Sequence, residues 1–150
     1  MDLSNLLKPE RIALKANFKT KGEVINFLLN LANKSGLIVD LKSVKEEILK
    51  REREMTTAIG KGIAIPHAKS KNIKGILASA CVLETPIDFD ALDNQPVQLC
   101  FLILGNEANI GQHLRILSKI SRIMDNDEFR DKLINSRTEI EFLKLFNDYS

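Results

Sequence analysis

The chain contains no tryptophan, one tyrosine and seven phenylalanines among its 150 residues. Aromatic area is therefore scarce, and leucine and isoleucine have to fill the interior. Cysteine is as rare: Cys81 and Cys100 each lie in an apolar, strand-like run with no Cys or His partner at metal-binding spacing. Two such residues make no disulfide framework and read as buried thiols. Neither sign of charge prevails. Twenty-two Lys and Arg against 20 Asp and Glu leave a net +2, and the lysines are spread out, not interleaved with aromatics. That argues against DNA, RNA or an anionic bilayer as a partner. The opening "MDLSNLLKPER" brings an early acid and only a very short apolar stretch, so it reads as neither a signal peptide nor a membrane span. The expected compartment is the cytosol, without direct membrane insertion.

What is present is an ordinary globular composition, 44% hydrophobic and 28% charged. A chain of this length suits one domain able to bury about two thirds of its unfolded surface. "RIALKA" alternates Ile12, Leu14 and Ala16 with other residues, as a half-buried strand does. Thr20 and Glu23 form a capping box for a helix carrying Val24, Phe27, Leu28 and Leu31, which Ser35 and Gly36 end. A second helix is expected from near Asp40 to near Met55, with Val44, Ile48 and Leu41 inward. "ILASACVLE" and "PVQLCFLILG" read as strands covered on both faces. Helical spacing returns at Leu114, Leu117, Ile120 and Ile123, then in the short "DEFRDKLIN". Thr138 and Glu141 cap a closing helix with Ile140, Leu143 and Phe146 on one face. These elements predict a three-layer α/β domain whose mixed β-sheet has helices on both sides.

One stretch stands apart: "REREMTTAIGKGIAIPHAKS", residues 51 to 70, which holds one of the two histidines. Its glycines lack the Walker spacing, which argues against a nucleotide loop. Ile63 and Ile65 alternate with small residues as a short strand would, and Pro66 is expected to end it, leaving His67 at a strand end. His67 is then either a turn residue without a role or one that meets another molecule. Metal binding needs more ligands than the chain offers, since His113 has no Asp, Glu or Cys at zinc spacing, and there is no G-x-S-x-G for a serine nucleophile. The imidazole itself is left as nucleophile or proton carrier. An imidazole is a good phosphoryl acceptor because a pKa of roughly 6.5 keeps its lone pair available near neutrality. Arg51, Arg53, Thr56, Thr57 and the amides around Gly60 and Gly62 are the nearby candidate donors for phosphoryl oxygens. Arg53 reads better as part of a solvated helix end.

Arg51-Glu52, Thr56-Thr57 and Gly60-x-Gly62-Ile63-Ala64-Ile65-Pro66-His67, with "GQHLRILSKI" downstream, resemble the enzyme IIA domain of the bacterial phosphoenolpyruvate-dependent sugar phosphotransferase system. The class is fructose/mannitol, which also includes the nitrogen-regulatory IIA proteins. The resemblance covers essentially the whole chain and implies the same mixed sheet. It places the phosphoryl acceptor on His67, the active-site arginine on Arg51 and the second active-site histidine on His113. Glu52, Thr57, Gly60 and Gly62 fall on motif positions with supporting roles. The implied reaction runs from a phosphohistidine of the small phosphocarrier protein to Nε2 of His67, and then to a cysteine of a IIB domain, with no cofactor or metal. Departures are Met55 and Lys61, at positions the family varies, and Gly105, where many members carry a proline. No IIB or IIC pattern occurs, so a single free-standing IIA domain over residues 1–150 is expected. The alternative is a nitrogen-type regulatory module whose phosphorylation state controls protein partners.

Overall fold

The computed structural model describes residue 3 and residues 5–149. Six strands form one mixed sheet: β1 (Ile12–Ala16), β2 (Ala58–Gly60), β3 (Ile63–Ala64), β4 (His67–Ser70), β5 (Ile76–Ile87) and β6 (Val97–Asn106). Five helices cover it: α1 (Lys21–Asn33), α2 (Leu41–Glu54), α3 (Ile110–Ile123), α4 (Asp127–Ile134) and α5 (Glu139–Tyr149). The sheet order is β1-β5-β6-β3-β2, and β4 also pairs with β6. β5 is antiparallel to β6, whereas β3 and β4 both run parallel to β6, one beyond the other along its far edge. Alternation along each strand then sorts side chains into two cores. Leu77, Cys81, Cys100, Leu102 and Leu104 pack with α1 and α2. Ala78, Ala80, Val82, Leu99, Phe101 and Ile103 pack with α3, α4 and α5. This is the three-layer arrangement expected. Cys81 and Cys100 are buried opposite each other in the β5–β6 ladder and remain free thiols.

The helix starts follow from their caps. Thr20 Oγ1 accepts the Glu23 amide, Asp40 accepts the Ser43 amide, and Thr138 Oγ1 accepts the Glu141 amide. Three expectations need correction. Pro66 does not end the sheet: β4 begins at the next residue, beside the same strand. Proline lacks only the donor, and its carbonyl accepts the Ile103 amide at 3.0 Å. In α3 the inward residues are His113, Ile116, Ile120 and Ile123, while Leu114 is 55% exposed. An apolar-only stripe misses the face because a histidine occupies its first position. In α5 the inward residues are Phe142 and Phe146, which pack near Phe101, and Ile140 is 70% exposed.

Candidate functional site

His67 opens β4 and pairs with Ile103 of β6. The break at Pro66 leaves the Ile65 carbonyl 2.8 Å from Nδ1 of His67. A carbonyl can only accept, so Nδ1 carries the proton and the neutral ring keeps its lone pair on Nε2. The imidazole pKa lies below its ordinary value: burial lowers it, the Ile65 hydrogen bond opposes that, and the Arg51 cation adds to the lowering. Glu52 and Lys69 act more weakly in opposite directions. The shift favours the neutral ring near neutral pH.

His113 stands in the first turn of α3, and its ring centroid is 5.7 Å from that of His67, with the planes inclined at 54°. The strand β6 is what joins them, pairing with His67 at Ile103 and leading into α3 a few residues later. His113 is fully buried, and neither ring nitrogen has a hydrogen-bond partner among the described residues. Gly105 makes the room: a Cβ there would lie 2.9 Å from Nδ1 of His113. Burial, followed by the neighbouring His67 and Lys69, lowers the His113 pKa from 6.5 to about 4. A neutral imidazole has one donor and one acceptor nitrogen, and here both are left without a partner among the described residues in a buried setting.

Arg51 sits in the last turn of α2, where its Nη1 donates to the Met55 carbonyl at 2.9 Å. Together with Glu47, Glu54, Ala68 and Lys69 it borders a cleft of about 390 Å³ that His67 also lines. Arg53 is exposed and lies outside that cleft. The adjacent Glu52 is 5% exposed. Its carboxylate accepts the Thr57 amide at 2.8 Å and the Thr57 hydroxyl at 2.5 Å. Lys21, the first residue of α1, brings its ammonium to 3.6 Å from Glu52 and 2.9 Å from Asp90. A buried carboxylate needs this company, and the result is a brace between the end of α2, the start of β2 and α1.

The structure therefore places Arg51 and His67 on one cleft and His113 next to His67, while Glu52, beside Arg51 in the chain, is bonded to Thr57. Thr57 spends its hydroxyl on Glu52, and Thr56 donates to the Phe89 carbonyl at 2.5 Å, so neither hydroxyl is directed to a ligand at His67. Gly60 and Gly62 are not brought to the cleft. With Lys61 they take φ values of 93°, 58° and 80° and turn β2 into β3. β3 meets β6 at Leu99, four positions before Ile103, a separation of about 13 Å along the strand. Their amides are thus corrected from candidate phosphoryl donors to turn formers. Lys21 and Lys69 were missed. Lys21 gives no local signal in sequence, whereas Lys69 follows His67 by two, the repeat that puts both on one face of a strand. Among the described residues no group of three His, Cys, Asp or Glu side chains is placed to hold a metal ion, and no helix is long and apolar enough to cross a membrane.

A strand-borne imidazole that shares a cleft with an arginine and adjoins a second, buried imidazole is the arrangement that the sequence resemblance implied. Residues 5–149 match the family model described as "Phosphoenolpyruvate-dependent sugar phosphotransferase system, EIIA 2", and the chain belongs to that family. It is 37% identical over 138 residues to the fructose-specific EIIA component of Haloferax volcanii, covering 92% of this chain and 90% of that protein. It is 38% identical over 141 residues to a nitrogen regulatory protein of Bradyrhizobium diazoefficiens, covering 91% and 89%. Among solved structures, the nitrogen regulatory protein IIA-Ntr of Neisseria meningitidis superposes with a TM-score of 0.88 at 27% identity, covering 95% of this chain and 97% of that one. The fructose-specific EIIABC component of Bacillus subtilis is 32% identical over 149 residues, 99% of this chain, which spans only 24% of that longer protein.

Proposed function

We propose that this chain is a phosphoryl carrier that accepts the group on Nε2 of His67 from the histidine-containing phosphocarrier protein and passes it to a cysteine of a IIB domain in sugar uptake. The observation that carries the reading is the 2.8 Å contact between Nδ1 of His67 and the Ile65 carbonyl, which leaves Nε2 as the nucleophile. The Nε2 lone pair forms a P–N bond while the P–N bond of the donor breaks and its electrons return to the donor imidazole. The His67 ring becomes cationic as the bond forms, and the Ile65 carbonyl stabilises that charge through Nδ1–H. Arg51 offsets the charge of the phosphoryl oxygens, and His113 donates to one of them. In the second transfer the acceptor thiolate forms an S–P bond and the electrons of the His67 P–N bond return to Nε2. The cytoplasm, where phosphoenolpyruvate feeds the relay, is the expected compartment, and the chain works as a single IIA domain.

A second reading is favoured by the likeness to the nitrogen regulatory proteins, which this chain matches along nine-tenths of their length. In it, the charge state of His67 controls binding of other proteins, since a phosphoryl group adds about two negative charges. Both readings need the same phosphohistidine. Incubation with phosphoenolpyruvate, enzyme I and the phosphocarrier protein should place one acid-labile label on His67, and chase onto IIB proteins should then separate transport from regulation. Equal labelling of His67→Ala would overturn the acceptor assignment.

A further inference from the structure

We propose that Lys69 is a second phosphoryl-binding cation of this site, acting beside Arg51 on the group carried by His67; the inference rests on the carrier reading above. Lys69 follows His67 by two residues within β4, so the two side chains leave the sheet on the same face. Both border the cleft that Arg51 borders. In the β4–β6 ladder Lys69 is paired with Gly105, the residue whose missing side chain admits the His113 ring. Lys69 therefore stands beside both imidazoles, and its charge disfavours protonation of each.

The ammonium has no ion pair or hydrogen bond of its own among the described residues, in contrast to Lys21 and Lys61, which are held by Asp90 and Asp125. The charge balance of the cleft gives it a task. Glu47 and Glu54 offset Arg51 and Lys69, so the cleft is neutral before a phosphoryl group arrives. With Arg51 alone, a dianion would enter a cleft that is already net negative. An exposed ammonium two residues from the nucleophile can close on the arriving oxygens without any backbone movement, and it can retreat when the group leaves.

The test compares Lys69→Met and Lys69→Arg with the parent, because an exposed position tolerates both without loss of the fold. Two quantities are read: the rate of label uptake from the phosphorylated phosphocarrier protein, and the titration of the His67 ring followed by NMR. Lys69→Met should take up label about tenfold more slowly, less than for a buried donor because the ammonium is solvated, and its His67 should titrate at higher pH. Lys69→Arg should recover the parent rate within about threefold and the parent titration. A Lys69→Met protein that matches the labelled parent in both measurements would overturn the role of Lys69 and leave His67 as carrier. A parent that takes no label would overturn both.

Discussion

The two neighbouring histidines both have their pKa lowered first by burial, and they differ in how their ring nitrogens are held. His67, on a strand, has one nitrogen fixed by a backbone carbonyl two residues away and the other left open. His113, on a helix, is more deeply buried and has no partner at either nitrogen among the described residues, and burial is the chief cause of its lowered pKa. A nucleophile needs a defined lone pair, so its tautomer is fixed in advance. A donor to a transient anion gains more from being left unsatisfied, because an unpaired polar group in a dry site has most to gain when the anion arrives. The region around His67 is braced; the region around His113 is vacated.

Replacing Arg51 by Ala tests that contrast most severely. It removes the arginine from the cleft and should slow uptake of the label a hundredfold or more, corresponding to about 2.7–4 kcal/mol in the barrier. Single-turnover transfer from the phosphocarrier protein measures it, and a loss below about fivefold would refute Arg51 as the clamp. Thr57→Val keeps the volume but strips the hydroxyl from the buried Glu52 carboxylate. Stability to urea should fall by about 1–3 kcal/mol, with a smaller effect on transfer than for Arg51→Ala. An unchanged midpoint would mean that the brace is not under load.

A third test is made by pH. The folded pKa of His113 is about 4 against 6.5 unfolded, so between those values the unfolded chain binds more protons than the native one. Its contribution to stability is complete above pH 6.5 and is lost progressively as the pH falls toward 4, at no more than about 1.4 kcal/mol per pH unit. His67 acts in the same direction. Chemical denaturation between pH 4 and 7 should show a shallower slope for His113→Gln than for the parent; equal slopes would mean that His113 is hydrated in solution.

Much of this arrangement is legible in the chain itself. Thr20, Asp40 and Thr138 announce their helices because capping is local chemistry, and the two long apolar runs announce β5 and β6 because only a strand covered on both faces needs them. The misreadings share one cause, that an apolar pattern is blind to polar residues placed inward for function. His113 opens the buried face of α3 where Leu114 seems the natural choice, and Glu52 is buried within the charged run "KRERE". Pro66 misleads for another reason: a parallel ladder asks for its carbonyl at that point and never for the amide it lacks. Lys21 is invisible because its partner Glu52 is 31 residues away, and the glycine turn looks like a ligand loop until the ladder shows how far along β6 it lies.

The Ile65 carbonyl has one more consequence. Its contact with His67 is internal to three successive residues, so a docking protein approaching from solvent has no means to compete for it. Under the proposed carrier function the same nitrogen would be presented to either partner, and the phosphoryl group would enter and leave through a single atom. Forward and reverse traffic share one doorway. On that proposal the direction of flow would be decided by the relative phosphorylation of the two partners.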